Sequence, residues 1–553
     1  MSRSDDASQM RRNSGLVAAG ITLSRLSGLL RDAVLAFFLG ANLGADAFRA
    51  ALRIPNFLQN LLGEGVLSAS FIPTYSRLLD EGREQEAGRV AGAVLGLLAV
   101  LSGVLVLLGV LLARPLTQLL TPGFVGERLE LTVTLVRIMF PGIGLLVVSA
   151  WCLGVLNSHR RFFLSYVAPV LWNLGIVSVL VALGASAVLD PAVAAGAGVV
   201  FGGALQVLVQ LPAVRAVLRG TLRPSLDTRS PGVRRVLAAF GPIVLGRGVV
   251  QIAALLDLVV ASLLAVGAVA VLGYAQSLYL LPIALFGMSV AAAELPGLST
   301  REQQVGEELT RRLDAGLGRS SFFVLGTTVG FVLLGGPIVE VLYGRGEFDR
   351  ATTTQVGVVL GVYALGLLAA TASRLLQSVL YASDDAKTPA AVAVVRVAVA
   401  LAVGVPLMLN LDHLVIDLAE PFNLRLSEGA SLPTLTPVEQ GLRDAADNQL
   451  RLGAAGLAAG SAVGAWTELL LLRRHVRRRF AEVRIGGGVL GRLVVAAALA
   501  AGVIALGATW LELSPLAEVV LLGAPAGLVY VGVCWWLEVP EARSLFATLR
   551  RGR

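Results

Sequence analysis

The stretch AVLGLLAVLSGVLVLLGVLLA, residues 93 to 113, contains no charged side chain over its whole length. A helix rises about 1.5 Å per residue, so this run is long enough to cross the roughly 30 Å hydrocarbon core of a bilayer. A transmembrane β-strand would alternate apolar and polar residues over roughly 10 positions, and this stretch does not alternate. It therefore predicts a membrane-spanning helix and excludes an outer-membrane barrel.

The composition of the whole chain agrees with this stretch. Of 553 residues, 56% are hydrophobic and 15% are charged, whereas soluble domains carry about 25% charged residues. Apolar runs, polar interruptions and Gly/Pro punctuation predict an all-α polytopic membrane protein with about 14 transmembrane helices. The predicted helices cover residues 15–41, 46–78, 89–113, 129–156, 162–184, 190–217, 234–264, 267–298, 310–343, 354–382, 388–411, 450–472, 487–511 and 515–539.

The basic residues predict the orientation. An even number of spans places both termini on one side, and if that side is cytoplasmic the inside segments hold about 28 basic residues and the outside loops about seven. The long polar loop at 413–449 is acidic and falls outside. We therefore expect a multi-pass protein with cytoplasmic N- and C-termini, and we expect no cleaved signal peptide because no small-residue cleavage site follows the first apolar run.

Charge placement excludes several classes of protein. The net charge is +8 and Lys387 is the sole lysine, but the basic residues sit at helix ends rather than along one stripe, which argues against nucleic-acid binding. Neither the two cysteines nor the three histidines are grouped, so we expect no disulfide, no metal site and no cofactor. No nucleophile and base are arranged for catalysis, so we expect no enzyme. The run RRHVRRR at 473–479 predicts an anchor on anionic membrane lipids, or a patch that binds a partner or a lipid.

Some charges fall where lipid would be. The segments SRLSGLLRD (24–32) and DAFRAALRIPN (46–56) concentrate arginines and acids in the first two predicted helices. Such charges are costly in a bilayer, so they either line a water-filled cavity or form internal Arg–Asp pairs. Arginine offers a planar fork of donors that matches phosphate oxygens, which favours an amphiphile with an anionic phosphate head. Three further arginines near cytoplasmic helix ends are expected to snorkel to the interface: Arg319, Arg396 and Arg492.

The order and spacing of several motifs resemble the MurJ (MviN) family of bacterial lipid II flippases, within the multidrug/oligosaccharidyl-lipid/polysaccharide exporter superfamily. The motifs are SRLSGLLRD (24–32), GADAFRAALRIPN (44–56), EGVLSASFIP (64–73), FPGIG (140–144), GVLNSHRRF (154–162), APVLWN (168–173), GGALQVLVQLP (202–212), ELPGLS (294–299), GRGEFD (344–349) and LYASDDAKTP (380–389).

The resemblance implies two six-helix lobes around a central cavity, with two C-terminal helices that form a groove for a lipid tail. A faint repeat agrees: Asp32, Ala36, Pro55 and Pro73 have a spacing comparable to Asp257, Ala261, Pro282 and Pro296. Repeats with a site at their interface are usual in alternating-access carriers. The implied segments are a cytoplasmic tail (1–14), a first lobe (15–218), a cytoplasmic linker (219–233), a second lobe (234–473), a basic cytoplasmic loop (474–486), helices 13 and 14 (487–540) and a second tail (541–553).

The resemblance also implies a function. The chain would move lipid II, the undecaprenyl-pyrophosphate-linked peptidoglycan precursor, from the inner to the outer leaflet of the bacterial cytoplasmic membrane for cell-wall synthesis, in contact with membrane lipids and possible cell-wall synthesis proteins. The cavity residues of the family that match here are Arg25, Arg31, Asp46, Arg53 and Asn56. Of these, we expect the three arginines to meet the pyrophosphate.

The chain departs from the family pattern at two places. Gln59 and Asn60 stand where members commonly have an arginine, and Gln276 and Ser277 replace a common Asp-Arg pair in helix 8. We hypothesise that Arg247, in helix 7, replaces the missing cation and joins the substrate-binding residues. An Arg247 pair with Asp257 is the alternative. The departures keep open an exporter of another polyprenol-linked saccharide or small molecule, and a non-transporting cell-wall scaffold.

Overall fold

A computed structural model describes residues 3–186, 188–287, 305–383, 385–417, 423–427, 432–439, 441, 449–479, 487–511 and 513–544. Within these residues the chain is helical apart from one small sheet, so the predicted all-α membrane class is confirmed. The chain divides into two compact units, Met1–Leu263 and Leu264–Arg553.

The helices of the first unit follow the apolar runs. They are α1 (Arg3–Leu39), α2 (Leu43–Leu62), α3 (Glu64–Asp80), α4 (Glu84–Leu111), α5 (Ala113–Leu120), α6 (Gly126–Ser158), α7 (Phe162–Val179, continued by a π-turn at Leu180–Gly184), α8 (Pro191–Leu218) and α9 (Pro231–Ala261). Glycine follows the ends of α1 and α2.

The core of the first unit lies between α3, α4 and α6. Tyr75, Phe71 and Trp151 are among its largest buried side chains. The indole Nε1 of Trp151 donates a hydrogen bond of 3.1 Å to the carbonyl oxygen of Ala91. Because a buried polar group without a partner is costly, this bond fixes the orientation of the largest ring in the core.

The segment between α8 and α9 lies along α4. The amide of Ser225 is 3.4 Å from the carbonyl oxygen of Gly92. A Cβ atom at Gly92 would overlap the carbonyl group of Arg223, so only glycine allows this approach. The same α9 packs against α2 and α3. The helix predicted as the start of the second lobe therefore belongs to the first compact unit.

The second unit repeats the pattern of long apolar helices. Its elements are α10 (Ala268–Pro282, continued by a π-turn at Ile283–Gly287), α11 (Val305–Leu333), α12 (Gly335–Tyr343), α13 (Arg350–Ala364), α14 (Leu367–Ala382), α15 (Lys387–Asp412), β1 (Leu414–Asp417), β2 (Asn423–Leu426), β3 (Gln449–Arg451), α16 (Gly453–Arg479), α17 (Gly487–Trp510) and α18 (Pro515–Trp536).

The predicted outer loop at 413–449 contains a small antiparallel sheet with strand order β2-β1-β3. Its register pairs Val415 with both Arg425 and Arg451. The guanidinium of Arg451 donates hydrogen bonds to the carbonyl oxygen of Asp412 (3.0 Å) and to Ser427 (3.1 Å). These bonds tie the sheet to the end of α15.

A short helix follows a long one in each unit. In the first unit α5 follows α4 after a break at Leu112, and in the second α12 follows α11 after a break at Leu334. The ring of Tyr274, on α10, lies 5.3 Å from the rings of both Tyr343 and Phe348, so an aromatic cluster fixes this corner of the second unit.

By length and composition, ten described helices can span a membrane, or eleven if the bent pair α13 and α14 is one span. Fourteen helices were predicted. Three predicted spans are not among the ten or eleven spanning helices, and α1, α2 with α3, and α9 lie over them. The first two of these regions carry the arginines and acids of segments 24–32 and 46–56. The predicted helices 46–78 and 310–343 are each broken, at Gly63 and Leu334. Residues 288–298 of the eighth predicted helix lie outside the described residues.

Candidate anion-binding site in the first unit

Arg31, on α1, is held by side chains from two helices. Its Nε and Nη2 donate to the Asp32 carboxylate at 3.1 and 2.8 Å, and its Nη1 donates to the amide oxygen of Asn173, on α7, at 3.1 Å. The side chain of Arg31 is 19% exposed and that of Asp32 is 3% exposed. Charge-assisted hydrogen bonds of this kind are strong and directional. They fix a guanidinium that keeps part of its surface accessible.

Trp172 and Asn173 complete this arrangement from α7. The Cζ atom of Arg31 lies 5.5 Å from the centroid of the Trp172 ring, a cation–π contact. The amide nitrogen of Asn173 donates to the hydroxyl of Ser27 at 2.9 Å, and that hydroxyl donates back to the carbonyl oxygen of Ser24. The packing of α1 against α7 thus positions Arg31 through a connected network.

The other residues predicted for the site lie on α1 and α2. Arg25 is exposed and lies six residues before Arg31. Arg53 and Asn56 are half-buried on α2, and Asn56 Oδ1 is shut off from solvent with no hydrogen-bond partner among the described residues. One turn after Asn56, the amide of Asn60 donates to Gln251 of α9 at 3.2 Å.

Asp46 lies apart from this network. Its carboxylate is fully buried and accepts a hydrogen bond from the guanidinium of Arg128, in the first turn of α6. The Arg128 Cζ atom lies 3.7 Å from the centroid of the Phe124 ring. In this conformation Asp46 is a partner of a buried arginine, and its predicted contact with substrate stays a prediction.

The residues at the two departures from the family pattern are only partly described. Arg247 lies on α9 one turn before Gln251, and its side chain is outside the described residues. Asp257 is exposed on the same helix. Ser277, on α10, donates its hydroxyl to the carbonyl oxygen of Gly273 at 3.0 Å, so its own helix satisfies it. The predicted role of Arg247 remains a prediction.

Sequence reasoning did not assign a role to Trp172, Asn173 or Arg128. Trp172 and Asn173 end the motif APVLWN, which carried the resemblance without pointing to Arg31. Arg128 was counted in an outside loop, because the predicted helix began at 129, and the structure places it inside α6. The signal that could have found it is the cost of burying Asp46 without a cation.

One carboxylate between two helices has a perturbed pKa. Asp385, between α14 and α15, accepts hydrogen bonds from the backbone amide (3.0 Å) and the hydroxyl (2.8 Å) of Thr388. These bonds, with Arg479 at 3.1 Å, lower the pKa of the carboxyl. Asp385 therefore caps the start of α15. Among the residues the structure describes, no group of three or more His, Cys, Asp or Glu could hold a metal ion.

The sequence model of the family described as "Lipid II flippase MurJ" matches residues 35–423. The chain is 33% identical to the lipid II flippase MurJ of Burkholderia cenocepacia, with 68% of this chain and 75% of that protein covered. It is 34% identical to the probable lipid II flippase MurJ of Rhizobium tropici, with coverage of 73% and 77%.

Solved structures share the fold. A lipid II flippase MurJ in an inward closed conformation matches with a TM-score of 0.74 at 21% identity, over 94% of this chain and 98% of that chain. An inward-facing multidrug resistance MATE family transporter of the MOP superfamily matches with a TM-score of 0.62 at 15% identity, over 83% and 94%. The match to the family model extends over more than half of the sequence, and the relatives agree with it. The chain is a member of the MurJ family of lipid II flippases.

Proposed function

We propose that this protein moves lipid II from the inner to the outer leaflet of the bacterial cytoplasmic membrane. The observation that carries the proposal, beside family membership, is the Arg31 network: a guanidinium held by Asp32, Asn173 and Trp172 inside a unit of apolar helices. A cation at such a position is costly unless it faces protein, water or an anion. Asp32 supplies one such partner, and a pyrophosphate head would bind the part of the Arg31 guanidinium that stays accessible.

The chemistry of the site fits a pyrophosphate better than a cation. Arginine stays charged and donates several hydrogen bonds in one plane, which matches phosphate oxygens. Because Asp32 and Asn173 already fix the plane of the Arg31 guanidinium, little side-chain entropy remains to be lost on binding. Arg25 and Arg53 would add positive charge on neighbouring turns of α1 and α2, and Asp46 and Asn56 would complete the polar lining.

Movement by alternating access spares the head group a path through hydrocarbon. The polar head would occupy the expected central cavity, and the polyprenyl tail would stay in lipid. This avoids the cost of burying unpaired polar groups in an apolar medium, which is several kcal/mol each. An inside-negative potential favours outward movement of an anion by about 2.3 kcal/mol per charge per 100 mV. A doubly charged pyrophosphate would gain roughly twice that.

The orientation follows from the distribution of arginines. We place both termini in the cytoplasm, because the segments on that side hold most of the basic residues.

Arg247 would add a cation to α9. In the structure α9 packs against α2 through Gln251 and Asn60, so this charge would join the first unit.

Depletion of the resident lipid II flippase in a tractable bacterium tests the proposal. The chain is expressed in its place, and an externally added agent that reaches only exposed head groups measures lipid II on the outer leaflet. We expect the wild type to restore exposure and Arg31→Ala to lose it at a normal membrane level. Arg114→Ala, which removes an exposed ion pair with Glu130, is the matched control and should behave as wild type. A well-inserted wild type that exposes no lipid II contradicts the proposal.

A further inference from the structure

A second arginine is held by a buried carboxylate inside the second unit, and an amide holds that carboxylate. Nη1 of Arg396, on α15, lies 2.8 Å from the carboxylate of Glu468, on α16. The other oxygen of Glu468 accepts a hydrogen bond of 2.8 Å from the amide of Gln377, on α14. The side chain of Glu468 is 2% exposed and that of Arg396 is 39% exposed. Arg396 therefore forms an ion pair with a buried acid, and its expected reach to the interface stays a prediction.

The packing of α15 on α16 creates this pair. A Cβ atom at Gly464 would lie 2.9 Å from the carbonyl oxygen of Arg396, so the two backbones approach closely there. Glu468 follows Gly464 by one helical turn and lies on the same face. Its carboxylate is thereby carried beside the Arg396 side chain rather than toward lipid.

Arg396 lies on the side of α15 that faces protein. Val392, one turn earlier on the same face, is buried, whereas Val394 and Val395 are exposed. Only one hydrogen bond of the Arg396 guanidinium is formed within the described residues, and it involves Nη1. The group has five N–H donors, so most of them remain available on a partly exposed surface.

Other groups surround this arginine. The hydroxyl of Tyr279, on α10, lies within electrostatic range of Arg396, Arg374 and Glu468. The Tyr279 ring stacks on Tyr363 at 5.3 Å, which fixes its position. Tyr279 thus adds a neutral donor near Arg396 and Glu468.

The arrangement has the same parts as the Arg31 network. In each unit a partly exposed arginine lies 2.8 Å from a buried carboxylate. A side-chain amide bonds to the arginine in the first unit and to the carboxylate in the second. A buried ion pair alone is a weak stabiliser, and neutral residues of similar size often serve as well. An arginine needed only to neutralise Glu468 would have no reason to keep most of its donors accessible.

We propose that Arg396, positioned by Glu468 and Gln377, is an anion-binding residue of the second unit that takes a phosphate group. It supplies the cation that the sequence lacks at Gln276 and Ser277. The inference rests on the proposed function, in which the ligand is the pyrophosphate of the lipid substrate. The same chemistry would accept free pyrophosphate.

Binding to purified full-length protein in lipid nanodiscs tests this inference. The probes are undecaprenyl pyrophosphate, uncharged undecaprenol and inorganic pyrophosphate, and native mass spectrometry measures occupancy. Arg396→Lys keeps a charge for Glu468 but loses the planar fork, and we expect binding of the pyrophosphate lipid to weaken about tenfold. The double variant Arg396→Gln with Glu468→Gln removes both charges, so it leaves no buried acid unpaired. It should keep the melting temperature and lose at least as much affinity. Arg492→Gln, an exposed arginine of the same unit, is the matched control.

The outcomes separate this inference from the proposed function. If the double variant binds the pyrophosphate lipid as wild type does while Arg31→Ala loses it, Arg396 is only a counter-ion and the inference is overturned. If the wild type binds undecaprenol as well as its pyrophosphate, the proposed function fails too. If inorganic pyrophosphate occupies the wild type but not the double variant, Arg396 binds the free anion. If the double variant loses only undecaprenyl pyrophosphate, Arg396 binds the head group of the lipid.

Discussion

The guanidinium of Arg128 donates a hydrogen bond to the carboxylate of Asp46 in a place where both side chains are almost fully buried, 4% and 0% exposed. The pair joins the first turn of α6 to the first turn of α2. The Phe124 ring covers one face of the guanidinium. A buried acid held in this way fixes the start of α6 against the start of α2.

Loss of one partner should therefore destabilise the protein. Arg128→Ala leaves a buried carboxylate unpaired, and we expect it to cost about 3–5 kcal/mol of unfolding free energy. The double variant Arg128→Leu with Asp46→Asn should recover much of this cost. Thermal unfolding in detergent measures both. Arg114→Ala, at an exposed pair, should change stability by less than about 1 kcal/mol. An Arg128→Ala protein as stable as wild type would contradict a structural role for the pair.

Asn173 should act on substrate through Arg31. Asn173→Leu removes the acceptor at Arg31 Nη1 and the donor to Ser27, so the guanidinium loses one of its fixed bonds. We expect weaker binding of the pyrophosphate lipid by roughly tenfold, in line with the loss of a hydrogen bond to a charged group. Ser186→Ala, an exposed serine that bonds only within its own segment, is the control. Unchanged affinity in Asn173→Leu would show that Asp32 alone positions Arg31.

His159, after the end of α6, predicts a pH dependence of stability. Burial, followed by the charge of Arg161, lowers the pKa of His159 below its ordinary value of 6.5. The folded state therefore holds the ring neutral, 3.0 Å from the hydroxyl of Tyr75. The stability from this neutral ring is present above pH 6.5 and is lost as the pH falls through the lowered folded pKa.

Melting temperatures between pH 5 and pH 8 measure this effect. Wild type should lose stability on the acid side more steeply than His159→Gln, which cannot gain a proton. His475→Gln, an exposed histidine, should follow the wild-type curve. Parallel curves for wild type and His159→Gln would show that another group sets the acid dependence.

Gly92 should control the docking of the 219–230 segment. In Gly92→Ala the added methyl meets the carbonyl group of Arg223, so the segment has to move off α4. We expect faster trypsin cleavage after Arg229, seen by limited proteolysis; the bond after Arg223 precedes Pro224 and is not a trypsin site. Gly103→Ala, in open space on the same helix, should leave cleavage unchanged. Equal cleavage of the two variants would mean that the segment is not held by this approach.

The spans were predictable because hydrophobic length is a property of local sequence. The breaks at Gly63 and Leu334 were not, since each depends on how the following short helix packs. Arg31 was predicted as a candidate site residue from its cost in lipid, but two of its partners, Asn173 and Trp172, lie on α7, more than 140 positions away. A local pattern carries no record of such a contact.

The ion pair of Arg396 is a second contact that local sequence patterns did not predict. Its place near a helix end predicted that it would reach the interface, because long basic side chains commonly do so. The ion pair with Glu468 was not predicted, because that acid lies 72 positions away and close backbone packing at Gly464 brings it beside Arg396. Intramembrane charges of opposite sign have to be considered as pairs across the whole sequence.

The regions that follow the long helices α4 and α11 are stabilised by different kinds of contact. The first uses an ion pair under Phe124, and the second uses the rings of Tyr274, Tyr343 and Phe348. If the halves descend from one duplicated ancestor, they have since ceased to be interchangeable parts. In a chimera that carries the α10 segment in place of α2, the phenol of Tyr274 would stand where Arg128 needs the carboxylate of Asp46. Common descent therefore would not make the two halves exchangeable.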